Sequence, residues 1–168
     1  MHRRLLLSVL LAPALLAACG AAGASGEAKR QLDEGRAFLA KQAKAPGVVR
    51  LPSGLMYKVI ASGPADGPHP HLRDEVKVDY VGTLVDGTVF DSTRDKGEPA
   101  VLQLQGLIPA WMEALPRMRP GDEWDLYVPP ELGYGEKGAG GVIPPDATLV
   151  FRIKLLGVLP AAGGAADA

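Results

Sequence analysis

The chain reads as an α+β protein, with a twisted, mostly antiparallel sheet of five or six strands wrapped on one short helix. Three observations predict this. From Leu51 onward, apolar and polar side chains alternate with a period of two in successive short runs. Turn residues separate those runs, and the 168-residue chain holds 21 Gly and 15 Pro. Within that region only Pro109 to Leu115 has helical spacing, with Trp111, Met112 and Leu115 on one side and Pro109 suited to a first turn.

Residues 1–18 stand outside this pattern. His2-Arg3-Arg4 is a short basic start, and Leu5 to Leu16 is an apolar run broken by Ser8 and Pro13. That is the layout of a secretory signal, and the run is short for a bilayer span. It ends Leu16-Ala17-Ala18-Cys19-Gly20, which resembles the bacterial lipobox, in which the Cys is acylated and becomes the new N-terminus. Cys19 is the single cysteine, so no internal disulfide can form. The competing reading is ordinary signal cleavage nearby, with Cys19 a bystander. Gly20 rather than Asp after the Cys leans toward an outer membrane, so the expected location is exported and lipid-anchored, facing the periplasm.

Residues 19–26 are small and read as a flexible tether. Residues 27–47 carry a helix, with Leu32, Phe38 and Leu39 forming a narrow apolar stripe that Pro46-Gly47 ends. One such helix cannot form a core, so it packs on the domain, packs on a partner or stays loose. The main domain occupies residues 48–159. Leu55, Tyr57 and Val59 alternate in the first strand, and Val76, Val78 and Tyr80 in the next. Asp86-Gly87 is a hairpin signal, returning through Thr88-Val89-Phe90. Val101, Gln103 and Gln105 alternate with Leu102 and Leu104, and Trp124, Leu126 and Val128 mark another strand. Gly133 to Asp146 is a long loop, Thr148 to Val158 a closing strand, and residues 160–168 a disordered tail.

Composition excludes several functions. With 18 basic and 19 acidic residues there is no basic excess to attract nucleic acid. His69 and His71 flank Pro70 in a loop but lack further metal ligands, so no metal or other cofactor is expected. No G-x-S-x-G and no Gly-rich phosphate loop with Lys-Ser/Thr is present.

What remains are four blocks: Tyr80 to Ser92, Leu107-Ile108-Pro109-Ala110-Trp111, Gly133-Tyr134-Gly135, and Val142-Ile143-Pro144-Pro145-Asp146-Ala147-Thr148-Leu149-Val150-Phe151. In this order they resemble the FKBP-type peptidyl-prolyl isomerases over residues 53–158. The stretch Glu34-Gly35 to Tyr57, including Val48 to Leu55, further resembles the macrophage infectivity potentiator branch, which usually carries a longer N-terminal dimerisation region. Here its last helix alone is visible, and a monomer is expected over a dimer.

The resemblance implies an FKBP-like fold and an apolar pocket. Its walls would be Tyr80, Phe90, Leu107, Ile108, Val142, Ile143 and Phe151, and its floor the Trp111 indole. Asp91, the Tyr134 hydroxyl and the Ile108 N–H would be the polar handles carrying catalysis. Taken singly, the aromatic residues read as core and Asp91 as a turn former; the block order changes the balance. The implied partners are proline-containing polypeptides and macrolide inhibitors, besides the membrane through the anchor. Three positions depart from the family. Ala100 follows Pro99 where an aromatic is common, Lys96 stands where some members have Arg, and Ala139 replaces a flap residue that is His in some relatives. The Ala100 departure implies an open wall, weaker macrolide binding and loose selectivity before proline. The alternative function is a tethered chaperone or adaptor that binds Pro-containing segments without turnover.

Overall fold

A computed structural model of the chain describes residues 20–161. The expected signal peptide, the expected lipidation position Cys19 and residues 162–168 of the expected tail lie outside the described residues.

Helix α1 spans Gly20–Gln42. It therefore runs through most of the segment expected to be a flexible tether. Seven strands follow, one or two more than expected: β1 (Val48–Arg50), β2 (Met56–Ala61), β3 (Glu75–Leu84), β4 (Val89–Ser92), β5 (Ala100–Gln103), β6 (Glu123–Val128) and β7 (Leu149–Leu159). Two short helices, α2 (Thr93–Lys96) and α3 (Pro109–Ala114), lie between strands. The strand β1 is three residues long, too short for a period of two to register in the sequence.

All strand pairings are antiparallel, in the order β1-β2-β6-β7-β3-β4, with β5 also on β3. The ten-residue β3 is the spine. One edge pairs along its whole length with β7, and the other is shared between β5 at Glu75–Val78 and β4 at Val81–Thr83. The predicted Asp86-Gly87 turn connects β3 to β4, with Gly87 at φ 89° and the Thr88 N–H donating to Asp86 Oδ1 at 2.9 Å.

The sheet has two unlike faces. Val76, Val78, Tyr80, Trp124, Leu126, Leu149, Phe151, Ile153 and Leu155 point inward, where Ala110, Trp111 and Ala114 of α3 complete the core with Leu115 and Met118. Burial of this apolar surface supplies the main driving force for folding. The outer face carries Asp79, Glu123, Asp125, Arg152 and Lys154, and Arg152 binds Asp125 through two hydrogen bonds of 2.7 and 2.8 Å.

Strict alternation would expose Met56 and Tyr127 on that outer face, yet both are buried. The cause is α1, whose Phe38 meets Tyr127 edge-to-face at 5.9 Å. Gly35 lets the helix approach this closely, since a Cβ there would sit 2.3 Å from Thr148 Oγ1. Of the three placements open to this helix, packing on its own domain is the one observed. His69 and His71 are structural: His69 Nδ1 lies 3.0 Å from the Met118 carbonyl, its Nε2 accepts from Arg119, and His71 bonds Asp74.

Candidate functional site

On the inner side, the end of the sheet where β3 meets β4 and the start of α3 enclose a cavity of about 280 Å³. Tyr80, Phe90, Asp91, Leu107, Ile108, Trp111, Tyr134 and Phe151 all line it, joined by Leu102 and Gly106. Eight of the ten residues predicted to form the pocket therefore converge. Val142 and Ile143 do not join them. Val142 is 57% exposed on the flap, and Ile143 is buried in the core, its backbone paired with Ala139.

Aromatic contacts build the floor and back wall. Trp111 stands edge-to-face with Tyr80 at 5.0 Å and with Phe151 at 5.4 Å, and Phe151 does the same with Phe90 at 5.6 Å. Such perpendicular rings hold one another in place as well as excluding water. Pro109 at the first turn of α3 fixes where Trp111 enters. Gly82 supports the wall from behind, because a Cβ there would fall 2.7 Å from two atoms of the Phe90 ring.

The polar groups are few and divided by role. Asp91 is committed: Oδ2 accepts from the Tyr80 hydroxyl at 2.5 Å, and Oδ1 takes the Ser92 N–H at 2.9 Å and an ion pair with Lys96 at 2.8 Å. Burial acts to raise the Asp91 carboxyl, but Lys96 and the Tyr80 hydroxyl outweigh it and hold the carboxyl below its ordinary value. Burial, then the Asp91 hydrogen bond, pushes the Tyr80 phenol up, and Asp91 raises Lys96. All three groups are driven away from neutral titration, so the trio offers no proton donor or acceptor poised near pH 7.

By contrast, the Ile108 N–H and the Tyr134 hydroxyl meet no acceptor among the described residues. Both line the cavity, and Tyr134 is 40% exposed at its mouth. They are free to bind carbonyls of a peptide. Among the described residues, no group of three or more His, Cys, Asp or Glu is placed to hold a metal.

The sequence reading missed Leu102 and Gly106 in the lining and Gly82 behind it. Leu102 carried a signal, since it falls on the apolar phase of β5. Ala100 is half-buried on the same strand and falls short of the lining, so Leu102 is the β5 residue that reaches the pocket. A wider cleft of about 580 Å³ lies on the outer face, walled by Asp79, Arg94, Glu98, Glu123, Arg152 and Lys154. Its charged walls do not suit an apolar ligand.

Known proteins with this arrangement are numerous. A family model described as FKBP-type peptidyl-prolyl cis-trans isomerase matches residues 67–156, and one for the domain amino-terminal to that isomerase matches residues 16–59. The peptidyl-prolyl cis-trans isomerase Mip of Coxiella burnetii is 49% identical over 126 residues, covering 75% of this chain and 54% of that protein. The outer membrane protein MIP of Legionella longbeachae is 47% identical over 136 residues, 81% of this chain and 58% of that one. The crystal structure of FkpA from Escherichia coli superposes with a TM-score of 0.79 at 41% identity, covering 84% of this chain and 65% of that chain. The chain thus spans less than two thirds of the length of these relatives.

Proposed function

The chain belongs to the FKBP-type peptidyl-prolyl cis-trans isomerases, and from that premise we propose that it accelerates rotation about X–Pro bonds in exported polypeptides. The observation that carries this is the aromatic pocket over Trp111, with unpaired donors at Ile108 and Tyr134 and no group poised for proton transfer.

The chemistry follows from amide resonance. Rotating the C–N bond costs roughly 18–20 kcal/mol because the bond is partly double. At the twisted midpoint the resonance is lost, and the carbonyl oxygen carries less negative charge. A dry aromatic site therefore disfavours the planar, polar amide more than the twisted one. The proline ring sits over the Trp111 indole, between Tyr80 and Phe151. The Ile108 N–H and the Tyr134 hydroxyl hold peptide carbonyls, so that one side of the bond is fixed while the other turns. Asp91, anchored by Lys96 and Tyr80, presents a fixed negative charge at the rim. No covalent intermediate is needed. A protease-coupled assay on an X-Pro-Phe peptide tests the proposal; no acceleration over the thermal rate would leave the groove a holder of Pro-containing segments.

The same reading extends to the cell. The signal-like start and Cys19 support export and lipid anchoring, as does the name of the Legionella relative, an outer membrane protein. A mass spectrum of the mature N-terminus tests this. Phe38 is spent on the chain's own Tyr127, which supports a monomer. Macrolides would compete with peptide for the pocket, more weakly than where an aromatic stands at position 100.

A further inference from the structure

The strand β3 has a gap along one edge. There it pairs with β5 through Val78 and with β4 from Val81, and between them Asp79 and Tyr80 face no strand. The chain leaves the sheet at this point to form α2, whose first residue is Thr93. Thr93 is 2% exposed, and its hydroxyl fills the gap. The Tyr80 N–H donates to Thr93 Oγ1 at 3.0 Å, while the Tyr80 carbonyl and Asp79 Oδ1 lie 3.3 and 3.2 Å from the same oxygen. The hydroxyl thus accepts from the Tyr80 N–H as a neighbouring strand's carbonyl would, and its single proton is shared between the Tyr80 carbonyl and the Asp79 carboxylate.

Tyr80 is the residue whose placement matters most at this edge. Its ring contacts Trp111, its hydroxyl bonds Asp91, and it lines both the pocket and the outer cleft. We propose that Thr93 is a positioning residue of the isomerase site, its hydroxyl standing in for the strand that β3 lacks at Tyr80 and so setting the Tyr80–Asp91 contact. This rests on the isomerase reading above. Ordinary packing of a buried threonine would require shape alone; the proposal requires the hydroxyl.

The two requirements separate experimentally. Thr93→Val keeps the shape and removes the hydroxyl, whereas Thr93→Ser keeps the hydroxyl. By protease-coupled assay, Thr93→Val is expected to lower kcat/KM about tenfold, the scale of one net hydrogen bond, with Thr93→Ser within about twofold of the parent. In a Tyr80→Phe background Thr93→Val should cost little more, since the contact it sets is already gone. Full activity in Thr93→Val, equal damage by Val and Ser, or losses that multiply with Tyr80→Phe would each overturn the proposal. Should Thr93→Val fail to fold, amide hydrogen exchange of the unmodified chain decides: Tyr80 protected as in a paired strand supports the proposal, and exchange at the rate of an exposed amide refutes it. A parent chain without isomerase activity would refute both readings; an active parent indifferent to Thr93→Val would refute this one alone.

Discussion

Gly82 is the position at which pocket shape and sheet stability can be tested together. It lies on the inner face of β3, paired with Phe151 on one side and Asp91 on the other. Replacing it by Ala would put a methyl 2.7 Å from Cε2 and Cζ of Phe90 and 3.0 Å from Cε1 of Phe151. To restore an ordinary contact of 3.4 Å, Phe90 must retreat by 0.7 Å and Phe151 by 0.4 Å. These rings brace one another and Trp111, so neither moves alone. Overpacking of this kind costs about 1–3 kcal/mol. Against it, Ala is better than Gly in a strand interior by about 0.5–1 kcal/mol. The net loss is then between about 0 and 2.5 kcal/mol, centred on about 1 kcal/mol, which at about 4–8 °C per kcal/mol for a domain near this size lowers Tm by several degrees. Because the displaced rings are pocket walls, kcat/KM should fall in the same variant. Thermal unfolding followed by circular dichroism and the X-Pro-Phe assay measure the two effects. A Gly82→Ala protein with parental Tm and parental kcat/KM would refute the argument that Gly82 is there to make room for the rings.

Other perturbations probe the remaining parts. Asp91→Leu should lower kcat/KM about tenfold or more while circular dichroism shows an intact fold, since Asp91 is only partly buried and its loss removes polar contacts to Tyr80 and Lys96. Trp111→Ala should abolish binding of apolar ligands and cost about 3–5 kcal/mol in denaturant unfolding, the scale for emptying a buried aromatic site. The pH profile of kcat/KM should be flat from about pH 5 to 9, because Asp91 is held below and Lys96 above their ordinary values. Since the folded Asp91 carboxyl is depressed, its stabilising contacts are complete above its unfolded pKa and are lost as pH falls through the lower folded one; an inflection near neutral pH would contradict this. Phe38→Ala should weaken α1 docking by about 0.5–1.5 kcal/mol, yet leave kcat/KM unchanged because the contact lies on the face away from the pocket.

Local signals carried the central architecture. The alternation of Val76, Val78 and Tyr80, the Asp86-Gly87 turn and the apolar phase of β6 and β7 are properties of neighbouring residues, and the folded chain keeps them. The missing elements were too short to show a period: β1 has three residues and α2 four. Other features are tertiary by nature. Tyr127 reads as solvent-facing until α1 covers it, and Gly35 reads as a helix weakness until Thr148 is seen against it. Eight pocket residues were legible because four blocks in a set order constrain one another. Val142 and Ile143 fall outside this cavity's lining because the flap backbone, turning at Gly138, Gly140 and Gly141 with positive φ, leaves one exposed and the other buried.

The position of α1 on the outer face has a practical consequence. The docked part of α1, Gly35 to Phe38, and the Trp111 floor of the pocket are on opposite faces of the sheet. A body resting on α1, whether a resin, a surface or a fused carrier, therefore meets the face of the sheet away from the Trp111 floor. A large, part-folded polypeptide can then approach the Trp111 floor without displacing the helix.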